Sequence, residues 1–482
     1  MATYKHGVYT SEQTTSMTAP VVGTAGLQVI LGTAPVNMIE EPEKAVNVPI
    51  LVNSYAEAVK AVGYMDDFEH YTLCEAIRAN FSVVQTAPII LINVLDPKKH
   101  TTDIEETSIQ INNGVAVLDV KGVLTEGLTV KKEATPLEKN KDYTTSFNED
   151  GTLNIVVLET DNTKGATKLS VSGKKLDASK VKATDIIGGV DEAGNETGAE
   201  AIRKVYPMLS MTPGIILAPR YSADPGVAAA LQAKTSGING VFKCVCVIDI
   251  DCGATGCKKY TDVKNQKEKQ AVNSPQAYAV WPYAKVGKTV YSGSSLAGAL
   301  TAYTDAVNDD TPNVSPSNKV LNISAACLAD GTEILLDQEQ ANTVNSFGVA
   351  TFLNMNGFRL WGNNTAAYPG VTDPKDRWLS VRRFLNWAAN TFILTYFQKV
   401  DSPANPRLIE AIVDSENVRG NSFVARGVCA RYEVMYLEEE NTTADLLNGC
   451  IRFHQYITPY TPAECIEDLI EFDPEALSQA LG

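Results

Sequence analysis

The sequence predicts a multidomain protein of the α/β and α+β classes, with mixed sheets covered by helices. In residues 21–98, and again after Tyr206, apolar strands alternate with helical segments, which is the order of a partly parallel sheet. Between Thr101 and about Gly198 the chain becomes polar and rich in short strands, as in a small β-sandwich. The length of 482 residues, with 44% apolar content, suggests two to four domains.

The α/β part is predicted in two segments. In the first, residues 29–31 and 88–94 are apolar enough to be buried strands, with a helix at 69–81 between them. In the second, strands at 214–217, 242–250 and 277–281 alternate with helices, and Asp224-Pro225 is a helix-start signal. Helices are also expected at 258–272 and 294–307.

The β-rich segment is predicted to be an inserted domain. Its short strands, at 115–118, 142–147, 153–157 and 168–172, are separated by turn residues such as those at 149–151. A self-contained unit between two α/β segments is typical of a domain inserted in a surface loop. We expect this inserted all-β, sandwich-like domain to cover residues 101–198.

Composition excludes several classes of protein. The formal charge is −16, from 41 basic and 57 acidic residues, and no basic block indicates a nucleic-acid binder. No apolar run approaches the roughly 20 residues that span a bilayer, and the N-terminus lacks the order of a signal peptide. The nine cysteines form no regular framework, which indicates free thiols in a reducing cytoplasm.

Enzyme motifs are incomplete. Residues 293–297 miss the nucleophile-elbow pattern because the last position is Ala, so Ser295 is interpreted as a helix N-cap. Residues 253–258 lack the spacing of a phosphate-binding loop. Asp249 and Asp251 fit a solvated loop entry better than a cation site. We therefore predict no catalytic residue and no cofactor, although an α/β hydrolase-like enzyme with an appended β-domain stays the alternative.

Four cysteines lie close together in the sequence. Their spacing matches no familiar zinc pattern, and two of them fall on one face of an apolar strand. Small core residues are a better interpretation than metal ligands. The four are Cys244, Cys246, Cys252 and Cys257.

A β-hairpin is predicted at 349–365. Asn356-Gly357 is the dipeptide that a tight hairpin turn favours, because both central residues need positive φ. Residues alternate on either side as strands do, and the polar exit leads to Asp373-Pro374, a second helix-start signal. The helix is expected to run from 374 to 397 with a wide apolar stripe.

This Gly-Phe-Arg-x-Trp-Gly-x-x-Thr hairpin resembles one in the C-terminal domain of contractile-tail sheath proteins, the polymerising subunits of myophage tails and R-type bacteriocins. Other elements follow in the order of that family: a strand at 7–12, a loop at 315–319, the helix after the hairpin, and residues 450–462. The resemblance covers roughly the first hundred and the last 280 residues. We therefore expect the β insertion to be peculiar to this chain.

The resemblance implies five parts. These are an N-terminal arm (1–20), an α/β middle domain (21–100 with 199–316), the inserted domain (101–198), a conserved C-terminal sheath domain (317–462) and a C-terminal arm (463–482).

Exchange of the terminal arms is also implied. A short strand without a partner nearby seeks a sheet edge, and in sheath proteins the arms complete a sheet in neighbouring subunits. Pairing of residues 7–12 within their own chain is the alternative that the residues alone favour. The implied arm strands contain Gly7, Val8, Tyr9, Thr10, Ile466, Leu469, Ile470 and Phe472, and the receiving edge contains Ile451, Phe453, Gln455 and Ile457.

Arg377, Arg382 and Arg383 stand out in an acidic chain. They are either a solvated face with weak ion pairs or, as the resemblance implies, a contact with the acidic surface of an inner tube. Both interpretations stay open.

The implied function is structural. The subunit would form a helical homopolymer of stacked rings around a tail tube, with baseplate and tail terminator proteins as further partners. It would be assembled in a host cytoplasm in a metastable extended state, released by lysis as a virion or phage-tail-like particle, and would contract to drive the tube through a target envelope. The inserted domain would face outward.

Overall fold

The computed structural model describes residues 21–22 and 25–482. The predicted N-terminal arm strand, with Gly7, Val8, Tyr9 and Thr10, lies outside the described residues.

The strands are given in chain order: β1 (Val21–Val22), β2 (Gln28–Gly32), β3 (Ile50–Val52), β4 (Thr86–Ala87), β5 (Ile89–Asn93), β6 (Thr101–Asn112), β7 (Val115–Leu118), β8 (Thr129–Lys132), β9 (Thr135–Pro136), β10 (Tyr143–Phe147), β11 (Leu153–Val157), β12 (Lys168–Leu176), β13 (Gly189–Val190), β14 (Glu196–Thr197), β15 (Ile215–Leu217), β16 (Ser236–Ile238), β17 (Phe242–Lys243), β18 (Val245–Asp249), β19 (Ala277–Val280), β20 (Tyr283–Val286), β21 (Thr289–Tyr291), β22 (Ala325–Cys327), β23 (Glu333–Ile334), β24 (Val349–Asn354), β25 (Phe358–Trp361), β26 (Cys429–Met435) and β27 (His454–Pro459).

The α-helices follow the same convention: α1 (Tyr55–Val62), α2 (Thr72–Arg78), α3 (Ala183–Ile187), α4 (Val205–Leu209), α5 (Pro225–Ala233), α6 (Val263–Lys269), α7 (Gly293–Ala306), α8 (Gln338–Ser346), α9 (Pro374–Arg377), α10 (Leu379–Tyr396), α11 (Pro406–Ala425), α12 (Thr443–Leu447) and α13 (Pro474–Leu481). A π-helix, Ala79–Val84, follows α2.

An eight-stranded mixed sheet organises the body, in the order β25-β24-β19-β18-β15-β2-β5-β3. The six inner strands run parallel, and the two outer strands pair antiparallel. Strands β5 and β18 are buried along their whole length, as expected for parallel strands that are covered by helices on both faces. The predicted mixed sheet is confirmed.

The predicted boundary at residue 317 does not divide this sheet. Strand β24 pairs with β19, so the hairpin of β24 and β25 belongs to the same sheet as the predicted middle domain. The buried side chains of Phe352 and Leu360 pack in the core of the body, which is why the hairpin cannot separate from it. The turn itself is as predicted, with φ of 55° at Asn356 and 100° at Gly357.

The helix predicted at 374–397 is interrupted. Trp378 is extended, with φ −90° and ψ 122°, and it separates α9 from α10. Main-chain pairing explains the break, because Trp378 bridges to Asn364 and the Leu379 N–H donates to the Asn363 carbonyl at 2.9 Å.

The strands between Thr101 and Leu176 form a seven-stranded antiparallel sheet in the order β10-β11-β7-β6-β12-β8-β9. The long strand β6 pairs with β12 along most of its length and with β7 at its end, so it belongs to both halves. Side chains from both halves form one separate hydrophobic cluster. Thr101 and Leu176 are paired residues, so the chain enters and leaves the unit at adjacent points.

The predicted end of the insertion at 198 is wrong. Val181 and Ile186 are buried in the core of the body, so residues 178–198 belong to the body rather than to the β unit. These apolar side chains are buried in the large core of the body and not in the smaller core of the β unit.

Cys244, Cys246, Cys252 and Cys257 are buried in the core of the body, as interpreted from the sequence. Burial raises the pKa of the Cys257 thiol to about 12. Among residues 21–22 and 25–482, no three His, Cys, Asp or Glu side chains are placed to hold a metal ion. No helix in that part of the chain is long and apolar enough to cross a bilayer.

Candidate intersubunit surface

A two-stranded sheet lies at the C-terminal end of the body. Strands β26 and β27 pair antiparallel and pack against α10 and α11. Phe423 of α11 is central to the contact, with ring centroids 6.1 Å from Phe384, 5.6 Å from Trp387 and 5.5 Å from Tyr432. Aromatic rings in such edge-to-face and tilted contacts hold the small sheet firmly on its two helices.

Helix α10 anchors this surface to the body. Arg383 is 4% exposed and forms a two-bond ion pair with the fully buried Asp305 of α7. The Asn390 side chain accepts from the Lys243 N–H at 3.0 Å and donates to the Lys243 carbonyl at 2.7 Å. The platform of the small sheet is therefore fixed to α7 and β17 of the body by buried polar contacts.

The predicted tube contact is wrong for Arg383, because a buried side chain paired with Asp305 does not reach a partner protein. Arg382 is paired with Asp376 at 3.0 Å, and its side chain is 16% exposed. Its contact with a tube stays a prediction.

Arg377 holds the start of the C-terminal segment. Its guanidinium pairs with the Glu464 carboxylate at 2.7 Å and lies 3.9 Å from the Trp378 ring centroid. Its Nε donates to the Asn364 side chain at 3.0 Å. Among the described residues this is the last ion pair or hydrogen bond that joins the C-terminal segment to the rest of the chain.

The segment after Glu464 leaves the body. The predicted strand at 466–472 is absent from the described part of the chain, because an extended segment needs a partner strand and pairs with none among those residues. Its large apolar side chains are 74–91% exposed: Ile466, Leu469, Ile470 and Phe472. Such a run of exposed apolar side chains marks a contact surface.

Two of the four predicted edge residues lie in a strand. Gln455 and Ile457 are in β27, whereas Ile451 and Phe453 precede it. The main chain at Arg452 is already satisfied, because the Asn441 side chain accepts from its N–H at 2.7 Å and donates to its carbonyl at 2.9 Å. Because the main-chain groups of Arg452 are already bonded, strand β27 begins only at His454.

A buried polar cluster lies at the carboxyl ends of the central strands. Glu75 is fully buried and accepts bonds from Arg220 and Ser295, and Asp249 accepts from Ser222 and Ser294. Burial raises the pKa of Asp249 to about 6. The interpretation of Asp249 as a solvated loop residue is therefore wrong.

The hydrolase alternative has no support in this cluster. Ser295 is fully buried and donates to Glu75, so its hydroxyl meets no substrate. It is not the N-cap of α7 either, since Ser292 occupies that position and accepts from the Ser295 N–H. The cluster is a structural joint between α2, α7 and the sheet.

Comparisons with known proteins agree with the structural interpretation. No protein-family model matches the chain. It is 26% identical over 499 residues to the tail sheath protein of Burkholderia phage BcepMu, covering 100% of this chain and 99% of that relative. It is 27% identical over 289 residues to the tail sheath protein of Escherichia phage P2, covering 58% of this chain and 68% of that relative.

Solved structures share the fold. The sheath of the extracellular contractile injection system PVC, in its contracted state, superposes with a TM-score of 0.55 at 14% identity, covering 99% of each chain. The contracted helical sheath of the anti-feeding prophage superposes with a TM-score of 0.55 at 14% identity, covering 98% of this chain and 100% of that one. Over its whole length the chain is similar to a contractile-tail sheath protein, and it shares the fold of solved sheath structures.

Proposed function

We propose that this chain is the structural subunit of a contractile tail sheath. It polymerises helically with copies of itself around an inner tail tube and contracts to drive that tube through a target cell envelope. Baseplate and tail terminator proteins cap the polymer, which is assembled in a host cytoplasm and released by lysis as part of a phage-tail-like particle. No catalytic group takes part in this function.

The observation that carries the proposal is the unpartnered C-terminal segment. Ile466, Leu469, Ile470 and Phe472 expose a large apolar surface beyond the last bond to the body, at Glu464. An arm given to one neighbour while another is received is a heterologous contact, which generates an open helix when the rotation does not close. A subunit built in this way polymerises rather than forming a closed oligomer.

Self-assembly of the purified full-length chain tests the proposal. We expect long hollow cylinders with helical striations by electron microscopy, without added nucleotide or metal. Truncation after Pro462 removes the arm and the Arg377–Glu464 pair, and it should leave a folded subunit that does not polymerise. The matched control is Arg377→Gln in the full-length chain, which loses the ion pair but keeps the arm.

A stable monomer at high concentration in ordinary salt would refute the proposed function. Normal cylinders from the truncated chain would instead refute the role of the arm. Equal unfolding midpoints of the two chains in urea are needed to show that the truncated subunit is folded.

We propose further that the β insertion faces outward, away from the tube. Thr101 and Leu176 are paired residues, so a short Gly/Ser linker can join residues 100 and 177 without moving either. Few contacts cross the boundary of a tolerated insertion, and the inner surface of a sheath must stay matched to its tube. Cylinders should still form after this replacement. Loss of polymerisation would place the insertion in the lattice.

The extended sheath is proposed to be a trapped state whose subunits move as rigid bodies when it contracts. A trapped state is governed by a barrier rather than by equilibrium stability. Scanning calorimetry of extended tails should show an irreversible exotherm below the unfolding endotherm. A reversible transition, or one that requires nucleotide, would contradict a spring loaded during assembly.

A further inference from the structure

We infer that this chain binds a small amphipathic carboxylate, with one anionic head group on a compact apolar body. The site is a cavity between helix α10 and the amino ends of the central parallel strands. This inference goes beyond the proposed function, because the ligand is a small molecule and not another protein of the particle.

The cavity is lined by residues from two parts of the fold and has a volume of about 240 Å³. Leu27, Gly214 and Val245 lie at or directly before the first residues of β2, β15 and β18, and Trp387 and Leu394 lie on α10. Since β15 runs parallel to both β2 and β18, these three positions meet at one edge of the sheet. One water needs roughly 10–15 Å³, so the space is large enough for an organic molecule.

The walls combine apolar side chains with hydrogen-bond donors. Met211, Trp387 and Leu394 supply apolar surface, and Thr212 and Thr391 supply hydroxyl groups. None of the described residues that line the cavity is acidic, although 57 of the 482 residues are Asp or Glu. Small-molecule sites typically have such apolar walls with a few polar groups that fix the ligand's orientation. The absence of a carboxylate from the described lining favours an anionic ligand over a cationic one.

Two cationic side chains line the cavity. Lys243 is exposed, and the Asn390 side chain holds its main chain through both the N–H and the carbonyl. Arg383 is 4% exposed and bonds Asp305 through its two terminal nitrogens, but its Nε has no hydrogen-bond partner among the described residues. An anion between these two side chains gains electrostatic attraction that a neutral molecule of the same shape does not.

A ligand in this cavity contacts both sides of the joint that carries the two-stranded sheet. Trp387 and Leu394 belong to α10, whereas Met211 and Pro213 belong to the body. Because the cavity exists only in the folded chain, the ligand should raise the urea midpoint of unfolding in proportion to the logarithm of its concentration.

Three probes of nearly the same shape test the charge of the ligand. They are phenylacetate, its neutral amide phenylacetamide, and the cation phenethylammonium. Saturation-transfer NMR on the full-length chain measures the binding of each. We expect phenylacetate to bind about tenfold or more tightly than the amide, because its head group accepts charge-assisted bonds, and we expect the cation to bind more weakly than both.

Replacing Lys243 tests the cationic group. Lys243→Met keeps the apolar stem and removes the charge, so phenylacetate should bind about twofold to fivefold more weakly, while the amide should be unaffected. The matched control is Lys264→Met, which changes an exposed lysine of α6 outside the cavity. It should bind both probes like the natural chain.

Filling the cavity tests the location. Thr391→Leu adds apolar volume at the wall and should abolish binding of the acid and the amide alike. Thr395→Leu, one turn further along α10 at an exposed position outside the cavity, is its control and should bind normally. A phenylacetate that carries a photoreactive diazirine should crosslink to residues 210–214 and 387–394.

The outcomes are distinct. Failure of the natural chain to bind phenylacetate refutes the site, and equal affinities for the acid and the amide refute the anionic ligand. Undiminished binding to Thr391→Leu, or crosslinks outside the two segments, refutes the location. Equal effects of Lys243→Met and Lys264→Met refute the role of Lys243. If Thr391→Leu fails to fold, the crosslinks decide the location.

Discussion

The hairpin edge of the central sheet and the outer edge of β27 are both sheet edges in the C-terminal third of the chain, yet the described residues of the subunit cover only the hairpin edge. Along β25, the Leu321 N–H donates to the Phe358 carbonyl at 2.9 Å, and the Leu360 N–H donates to the Lys319 carbonyl at 3.2 Å. Along β27, no equivalent segment lies among the described residues. Since unpaired main-chain groups seek partners, the difference indicates where one subunit ends and a polymer contact begins.

At three places, an asparagine side chain forms hydrogen bonds to main-chain groups at the edge or the end of a strand. Asn390, Asn417 and Asn441 each bond both the N–H and the carbonyl of a single residue. A side-chain amide has a carbonyl oxygen that accepts and an NH2 group that donates on the same side, so it bonds the N–H and the carbonyl of one residue without extending the sheet. Among the described residues, no side-chain amide bonds the outer edge of β27 in this way.

The largest expected effect concerns the ion pair between Arg383 and Asp305, which joins the small sheet to the body. Arg383→Met should cost about 3–5 kcal/mol in the free energy of unfolding, because it leaves the Asp305 carboxylate buried without a partner. Arg382→Met, whose partner Asp376 is partly exposed, should cost about 0–1 kcal/mol. Urea unfolding measures both.

A double variant completes that test. Replacing Asp305 with Leu in the Arg383→Met background should recover much of the loss, since an apolar pair of similar volume no longer buries a charge. Equal losses for the Arg382 and Arg383 variants would mean that the small sheet and the body are not joined through this pair.

The sequence predicted well those elements whose signals are local. Asn356 and Gly357 adopt the positive φ that their dipeptide favours, and the apolar runs of β5 and β18 became buried parallel strands. Asp224 caps α5 through bonds to the Gly226 and Val227 N–H groups, as its helix-start signal predicted. Each of these outcomes depends on residues a few positions apart.

The sequence failed where the decisive partner is distant or outside the chain. Arg383 is buried because Asp305, 78 positions earlier, receives it, and no spacing rule contains that information. The β unit ends at Leu176 because Val181 and Ile186, which follow it, are buried in the core of the body. The segment 466–472 has an apolar content typical of a strand, but a strand forms only with a partner, and residues 21–22 and 25–465 supply none.

The two residues of α11 that contact the outer edge of β26 were also not predicted, because their partners on β26 are distant in the sequence. Asn417 and Gly420 are ordinary residues on a helix, with no motif around them. Glycine in the middle of a long helix is the only local signal, because it costs helix stability unless a close approach requires it.

The second prediction tests whether α11 closes the β26 edge. Asn417→Ala removes two bonds to Val434, each worth about 0.5–1.5 kcal/mol, so we expect a loss of about 1–3 kcal/mol in the free energy of unfolding. The control is Val418→Ala, at the next and well-exposed position of α11. An equal effect of both variants would mean that Asn417 does not seal the edge.

The third prediction concerns the sealed edge of β25. Leu321→Ala loses packing only, whereas Leu321→Pro also removes the N–H that bonds the Phe358 carbonyl. Proline should therefore cost about 0.5–1.5 kcal/mol more than alanine. Light scattering should also show concentration-dependent association of the proline variant alone, because an uncovered edge accepts other strands. Equal stability and equal association of the two variants would mean that the Leu321 N–H does not protect the β25 edge, so that this edge would not differ from the outer edge of β27.

The smallest expected effect is a pH dependence of the free energy of unfolding, which should arise in the body and not at the outer edge of β27. Asp249 lies at the end of β18, in the centre of the large sheet and away from both edges. Its carboxylate faces Ser222 and Ser294, which donate to it, with Glu75 and Arg220 nearby. Burial raises its pKa from 3.8 to about 6, and the neighbouring Glu75 carboxylate acts in the same direction.

The sign follows from proton binding. The folded chain holds a proton on Asp249 more tightly than the unfolded chain, so this group adds stability as the pH falls from 7 to 5. The expected gain is about 1 kcal/mol in the free energy of unfolding over that interval. In Asp249→Asn, which does not titrate, the pH dependence between 7 and 5 should be smaller by that amount.

The same variant should leave strand exchange untouched, because Asp249 is far from the exchanging edge. The pH dependence of the critical concentration for assembly should thus match between Asp249→Asn and the natural chain, although their unfolding curves differ. A matched loss of pH dependence in both measurements would mean that the buried cluster of the central sheet controls the open edge, and that the two regions are coupled through more than the Arg383–Asp305 joint.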